Sequence, residues 1–442
     1  MTRLPLFLLV VLLATGARAQ VRSFTLEECV DYALDNRPSL RDARLTDSVA
    51  ALNNSIALAA WRPFLTFDGS LRNNVKQQVS IFPDFENPGQ TREVTIGTAW
   101  TSAAGLTARQ LIYSPLVARD ARLQRPLVER AVLDIEAAEI EAIAAVERAF
   151  YRNLRSLEEI ELVLANLERL DRALRDARLL YEEGLNDKVD YLRATVARNR
   201  AEQDLERARY ALATSRAELK RQMGYPAEEE LELDYDFDRY VDRILNDSLA
   251  DLNPRERVEL RALRADRRVQ DLFLLGVRRS WLPEVSAQAN YTYNWLAQSF
   301  GSLYDRSFPA SFLGLNVSAP LFQGGRRFRQ VELETLRRDR IDFRVLDLRD
   351  QVELEYQTAT NNYLAARTAY LVARTNTELT REIYDVVLLQ YREGIEPFLE
   401  VVIAENDLQV AQINALNGLI DAMIARTNLR LAAGEIDARY ER

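Results

Sequence analysis

The chain has 442 residues, 67 acidic against 58 basic, with a formal net charge of −9, one cysteine and no histidine. The acidic balance argues against a nucleic-acid partner, and the missing histidine removes Ser-His-Asp and Cys-His catalysis along with the commonest metal ligand. A single thiol can neither close an internal disulfide nor build a thiolate metal site, so no enzyme, cofactor or metal centre is expected.

Residues 1–19 read as a secretory signal peptide. Arg3 supplies a positive n-region, Leu4 to Leu13 an apolar core, and Ala17-Arg18-Ala19 a small-x-small cleavage site before Gln20. Its removal takes the net charge from −9 to −11 and places the mature chain outside the cytoplasm. No later segment reaches the ~18 uninterrupted apolar residues of a membrane-spanning helix. Cys29 follows Glu28, which spoils a lipidation site, and it shares a helix face with Leu26 and Ala33 as a small apolar residue.

Residues 25–61 are expected to be helical, with Thr25 and Glu28 as a capping box and a kink or break at Pro38. From Leu65 the period becomes 2. Leu65, Phe67, Gly69, Leu71 and Val75 alternate with Asp68, Ser70, Arg72, Asn74 and Lys76. After a loop from Phe82 to Gln90, the alternation resumes at Val94, Ile96, Thr98 and Trp100 and continues weakly to Tyr113, which predicts a two-stranded hairpin. The glycine-free stretch between Gly105 and Gly184 then admits a helix of roughly 65 residues, about 100 Å long, starting or bending at Pro126. Its apolar row steps by three or four through Phe150, Leu154, Leu157, Ile160, Leu164, Leu167, Leu170, Leu174, Ala177 and Tyr181. A tight turn at Tyr181-x-Glu183-Gly184 leads into a shorter helix over 188–224. Residues 225–251 form an acidic connector, read as a solvated belt with a short amphipathic helix from Arg239.

A shift of 210 positions brings the same design back. Tyr391-x-Glu393-Gly394 falls on Tyr181-x-Glu183-Gly184, Gly434 on Gly224, Leu429 on Leu219, and Trp281-x-Pro283 mirrors Trp61-x-Pro63. Residues 20–224 and 252–434 are therefore two structural repeats, each helix, two strands, long helix, short helix, and 435–442 are a tail. In the second copy Val285, Ala287, Ala289, Tyr291, Tyr293 and Trp295 form one apolar row, and Leu313, Leu315, Val317, Ala319 and Leu321 the next. Tyr356, Tyr363, Tyr370, Thr377, Tyr384 and Tyr391 recur every seven residues, the spacing of a helix seam; a pore lining is the alternative. Strands with one apolar face fit either a sheet on a soluble core or a lipid-facing barrel segment with a polar lumen. The signal peptide, the strand length and the lack of another apolar layer favour the barrel. Four strands are too few to close, and open edges cannot stand in lipid. Several chains must then share one barrel.

With Asn36-Arg37-Pro38-x-Leu40, Trp61-x-Pro63, Ala319-Pro320-Leu321-Phe322-x-Gly324-Gly325 and the two Tyr-x-x-Gly turns in this duplicated order, the chain resembles the TolC-like outer membrane efflux proteins. The resemblance implies an α+β membrane protein in the outer membrane. Long α-helical hairpins would form a periplasmic α-barrel, and four β-strands per chain would contribute to a trimeric transmembrane β-barrel. It implies a homotrimeric exit duct coupled to a periplasmic membrane-fusion adaptor and an inner membrane pump of RND or ABC type. The alternatives are a duct for type I protein secretion, or a secreted coiled-coil scaffold. Carried over, Tyr181, Gly184, Leu185, Tyr391, Gly394 and Ile395 mark the adaptor-docking tip, and Asp190, Glu396 and Glu400 the periplasmic aperture. Glu396 and Ile403 depart from some members, which have an arginine and a second acid there. Leu65, Phe67, Trp100, Tyr291, Tyr293, Trp295, Leu313 and Leu315 are expected to face lipid.

Overall fold

The structure, a computed structural model, describes residues 23–83, 89–184, 187–246 and 257–436; the signal peptide and the tail after Ile436 lie outside them. In chain order the elements are β1 (Ser23–Phe24), α1 (Leu26–Asn36), α2 (Pro38–Leu58), β2 (Phe64–Asn73), β3 (Gln78–Pro83), β4 (Thr91–Ile96), β5 (Trp100–Tyr113), α3 (Pro115–Glu182) and α4 (Lys188–Met223). Then come β6 (Glu232–Leu233), α5 (Phe237–Leu245), α6 (Val258–Arg278), β7 (Glu284–Ala297), β8 (Ser307–Ser318), α7 (Arg326–Arg392) and α8 (Phe398–Ala433). The chain forms two compact units, one from the described parts of Met1–Ala43, Ile135–Arg257 and Asp350–Arg442, the other from Arg44–Asp134 and Val258–Arg349.

The first unit is helical. The Thr25 hydroxyl accepts from the Glu28 amide at 3.2 Å and the Glu28 carboxylate from the Thr25 amide at 2.9 Å, closing the capping box of α1. Pro38 separates α1 from α2 without a bend inside either helix, because the residue before a proline is held extended. Cys29 is fully buried, and burial beside Glu28 pushes its thiol up to about 12, so it is an inert packing residue. Around it pack Val30, Leu40, Phe150, Leu154, Leu219 and Met223. The tyrosine heptad is a seam: Tyr363, Tyr370 and Tyr384 are buried, and Thr377 donates to the Ala411 carbonyl of α8 at 3.0 Å. In α3 the buried stripe drifts off the sequence row, taking in Val163 and Asn166 while Leu164 is exposed. A straight helix of 3.6 residues per turn cannot keep a fixed row over so many turns.

The connector is more than a solvated belt. Leu231, Tyr240 and Ile244 are buried, β6 pairs with β1 in parallel, and Arg367 donates to the last carbonyls of α5, Ile244 at 3.1 Å and Leu245 at 2.8 Å. Two glutamates are also buried. Glu147 accepts from Thr427 at 2.6 Å and Arg430 at 3.1 Å, and Glu405 accepts from Arg169 at 2.8 Å.

Both short helices end on a left-handed glycine, Gly224 at φ 70° and Gly434 at φ 72°. A Cβ at Gly224 would lie 2.9 Å from the Arg37 Cα and the Asn36 carbonyl, whereas at Gly434 the nearest atom is an Arg257 side-chain carbon at 3.3 Å. This close backbone approach is a second reason for a glycine at position 224. Gly434→Ala should cost about 1 kcal/mol, from the left-handed backbone alone, and Gly224→Ala roughly twice that or more. Thermal melting of the helical signal ranks the two, and equal losses would contradict the contact.

In the second unit a four-stranded sheet runs in the order β2-β5-β7-β8, all neighbours antiparallel. One sequence expectation fails here and another is narrowed. The strand expected from Val94 to Tyr113 is two elements: Val94 and Ile96 belong to β4, which pairs only with β3, and β5 starts at Trp100. The break is built by Gly97 at φ 105° and by Asn74, whose amide donates to Ala99 O at 2.8 Å and whose side chain donates to Thr98 O at 2.8 Å. Val75 and Leu321 accordingly lie in no strand. Of the two outcomes expected at Pro126, a start or a bend, the helix start is excluded. α3 starts at Pro115, whose missing N–H is harmless at a helix start, and the helix continues through Pro126.

Candidate functional site

Two regions hold the predicted site residues: the turns that join the long and short helices, and the sheet. At the first turn the Gly184 amide donates to Tyr181 O at 3.0 Å with Gly184 at φ 74°; at the second, Gly394 at φ 72° donates to Tyr391 O at 3.0 Å. Both are helix ends closed by a glycine that enters the left-handed region without a Cβ penalty. Leu185 lies outside the described residues. Ile395 is 70% exposed, Tyr181 is exposed and stacks on Tyr191 at 6.2 Å, and Tyr391 meets Phe398 edge-on at 5.3 Å. Behind the turns Ala177, Ala194, Tyr384, Phe398, Val401, Ala404 and Leu408 form one buried cluster, so the two hairpins end in a common apolar knot.

Asp190 and Glu400 each sit in the first turn of the returning helix, where a negative charge complements the helix dipole. Neither side chain caps its helix; Asp187 and Pro397 hold the N-cap positions without a side-chain hydrogen bond. Asp190 lies 3.9 Å from Arg193 of its own helix, while Glu400 is exposed and has no ion-pair partner among the described residues. Glu396 is half-buried, its amide turned to Gln390 O at 3.4 Å. Just inside, burial next to Glu405 pushes the Tyr384 hydroxyl up to about 12.

The sheet register sorts the strand residues into two faces. Across the four strands run the rows Leu65–Ala108–Ala289–Leu313, Phe67–Leu106–Tyr291–Ser311, Gly69–Ala104–Tyr293–Pro309 and Leu71–Ser102–Trp295–Ser307. Trp100 opposes Ala297 and Leu315 opposes Ala287 on the same face, so all eight residues expected to face lipid share one face. Between these rows lie Thr66–Thr107–Asn290–Phe312, Asp68–Gly105–Thr292–Ala310 and Ser70–Ala103–Asn294–Phe308. This second face mixes polar side chains with the small residues Ala103, Gly105 and Ala310, and its large apolar members in these rows, Phe308 and Phe312, are ones the sequence reading missed. Asn290 donates to the Thr107 hydroxyl at 3.0 Å and Thr292 to Asn290 at 2.9 Å, a side-chain ladder on that face.

Sequence reasoning also missed where the tryptophans go. The chain has 4, and every one lies at an end of this sheet. Trp61 and Trp281 immediately precede β2 and β7. Trp100 and Trp295 lie at the opposite end, with Phe300 5.0 Å from Trp100 and Tyr304 5.5 Å from Trp295. Aromatic girdles at both ends of an apolar band are the pattern of a barrel wall at two membrane–water boundaries. No helix among the described residues is long and apolar enough to cross a membrane.

Comparison with solved structures recovers this fold across the chain. VceC, an outer membrane protein of Vibrio cholerae, superposes with a TM-score of 0.69 at 16% identity, covering 92% of this chain and 96% of that one. The CmeC outer membrane channel of Campylobacter jejuni gives 0.69 at 16% identity, covering 94% and 87%. The MtrE outer membrane channel of Neisseria gonorrhoeae gives 0.69 at 17%, covering 92% and 88%. No curated protein sequence matches the chain. The profile of the outer membrane efflux protein family matches residues 29–225 and 255–435, nearly all of both repeats, and the chain belongs to that family.

Proposed function

We propose that the chain is the exit duct of a tripartite efflux system. Three copies share one closed β-barrel in the outer membrane, their helical hairpins form the periplasmic tube, and the hairpin turns receive a periplasmic adaptor that links the duct to an inner membrane pump. The observation that carries this reading is the sheet itself. One face is apolar, ringed at both ends by tryptophan, and uncovered by any second layer among the described residues: Leu65, Phe67, Leu313 and Leu315 are all exposed. Its edge strands, β2 and β8, present unpaired backbone. In hydrocarbon each unpaired backbone group costs several kcal/mol, so both edges must find partners, and β8 of one copy against β2 of the next supplies them. The uncovered apolar face also disfavours a secreted scaffold, which would leave it in water.

The turns give the duct a place to gate. Threefold symmetry gathers three copies of Glu400 and three of Asp190 around the axis, and a ring of acids favours cations over anions. Since Arg193 stands beside Asp190 and no described residue pairs with Glu400, the larger share of the effect belongs to Glu400. In planar bilayers the channel should be cation-selective and blocked by multivalent cations. Glu400→Ala with Asp190→Ala should weaken both properties while the trimer persists. Unchanged block and selectivity would make these acids ordinary first-turn residues; no conductance from the assembled wild type would contradict the duct.

A further inference from the structure

We propose that the helix-bearing end of the sheet carries an arginine collar that binds the headgroups of anionic phospholipids in the adjoining membrane leaflet. This rests on the barrel reading above and adds a lipid partner to it. The terminal pairs Phe64–Arg109 and Glu284–Ser318 fix which corners meet at this end. There Arg62 follows Trp61, Arg278 and Arg279 precede Trp281, and Arg326 and Arg327 open α7. Arg62, Arg278, Arg279 and Arg326 are exposed, and the Arg327 guanidinium lies 5.3 Å from the Phe328 ring centroid.

The acids at these corners are already engaged. Glu284 is 3.8 Å from Arg109, Asp120 is 2.6 Å from Arg119 and Glu332 is 2.9 Å from Arg329. None of the five collar arginines has an acidic partner among the described residues. The end is therefore a concentration of positive charge on a chain whose formal net charge is −9. At the other end the described charges are mixed, Arg72, Lys76, Arg92 and Arg306 with Glu93 and Asp305. The collar also has an apolar underside: Leu321 is 96% and Phe322 89% exposed at the turn before Arg326. Apolar side chains beside guanidinium groups suit a boundary where acyl chains meet phosphates. Guanidinium pairs phosphate oxygens through two parallel hydrogen bonds. A zwitterionic lipid offers that phosphate with its own cation attached, whereas an anionic lipid leaves it free, so the collar selects the anionic lipid.

Trp61 and Trp281 report on the collar directly. In a Trp100→Phe, Trp295→Phe background, the full-length protein is reconstituted into phosphatidylcholine vesicles containing a minor fraction of brominated phosphatidylglycerol or, separately, of brominated phosphatidylcholine. Quenching should show phosphatidylglycerol enriched about fivefold or more over its bulk fraction. Replacing all five arginines (Arg62→Gln, Arg278→Gln, Arg279→Gln, Arg326→Gln, Arg327→Gln) should return it to the bulk value with the trimer intact. Equal quenching by both lipids overturns the collar and leaves the barrel standing, whereas quenching by neither overturns both. A five-arginine variant that no longer forms trimers assigns these side chains to contacts between copies and overturns the proposal. The same lipid comparison on the unmodified chain, whose tryptophans all lie at sheet ends, applies if the tryptophan-replaced background does not fold.

Discussion

Tyr291→Arg should destabilise the membrane-inserted protein by about 2–4 kcal/mol, the cost of a cation on the lipid face near the bilayer midplane, while Asn290→Arg next to it should cost less than about 1 kcal/mol. The two positions are adjacent in β7 and differ only in face. Tyr291 lies in the row Phe67–Leu106–Tyr291–Ser311, where arginine would replace an aromatic ring in an apolar band. Asn290 lies in the row Thr66–Thr107–Asn290–Phe312, on the face that carries the side-chain hydroxyls and amides, where a charge can stay hydrated despite the one neighbouring ring. Its replacement forfeits the hydrogen bond to Thr107, a net loss of about 1 kcal/mol at most in a wet environment. Urea titration of folding into lipid vesicles measures both. Equal costs would remove the face assignment and, with it, the case for a lipid-exposed sheet.

The second large effect is expected inside the helices. Arg169→Met should cost about 3–5 kcal/mol, because it leaves the Glu405 carboxylate buried without its cation. The Glu405 side chain is only 5% exposed, and Arg169 donates to it at 2.8 Å from the facing helix. Of its neighbours, the Tyr384 hydroxyl hydrogen-bonds Glu405 but carries no charge, and Asn166 already gives its amide to Gln409 at 2.7 Å. Adding Glu405→Leu should recover most of the loss, since removing both charges leaves neither stranded. The exposed pair Arg178–Glu182 is the control. At 64% and 56% side-chain exposure its removal should leave stability essentially unchanged. Similar losses at the two pairs would show that burial does not set their worth.

These two contrasts also separate what could be read in the sequence from what could not. The faces of the sheet were legible because a strand has period 2, so Leu65, Phe67, Tyr291 and Leu313 name their face without any knowledge of register. The turns at Gly184 and Gly394 were legible because only glycine enters the left-handed region freely, and the repeat shows the pattern twice. The β3–β4 hairpin was hidden because Val94, Ile96 and Trp100 keep one alternation across a turn at Gly97 that interrupts the pairing. Buried Glu147 and Glu405 were hidden for a different reason. An acid within a helix reads as solvated, and only the facing helix, more than 200 positions away in sequence, supplies its cation. The drift from Leu164 to Val163 and Asn166 belongs with these, being a property of helix packing over many turns rather than of a local pattern.

The central claim is that one chain supplies only part of a barrel and several copies complete it. Native mass measurement of the protein extracted from membranes in mild detergent tests this most directly. The account predicts a single assembly with three times the mass of the mature chain, persisting on dilution because each copy closes the sheet edges of its neighbours. A stable monomer that retains its sheet under the same conditions would contradict it.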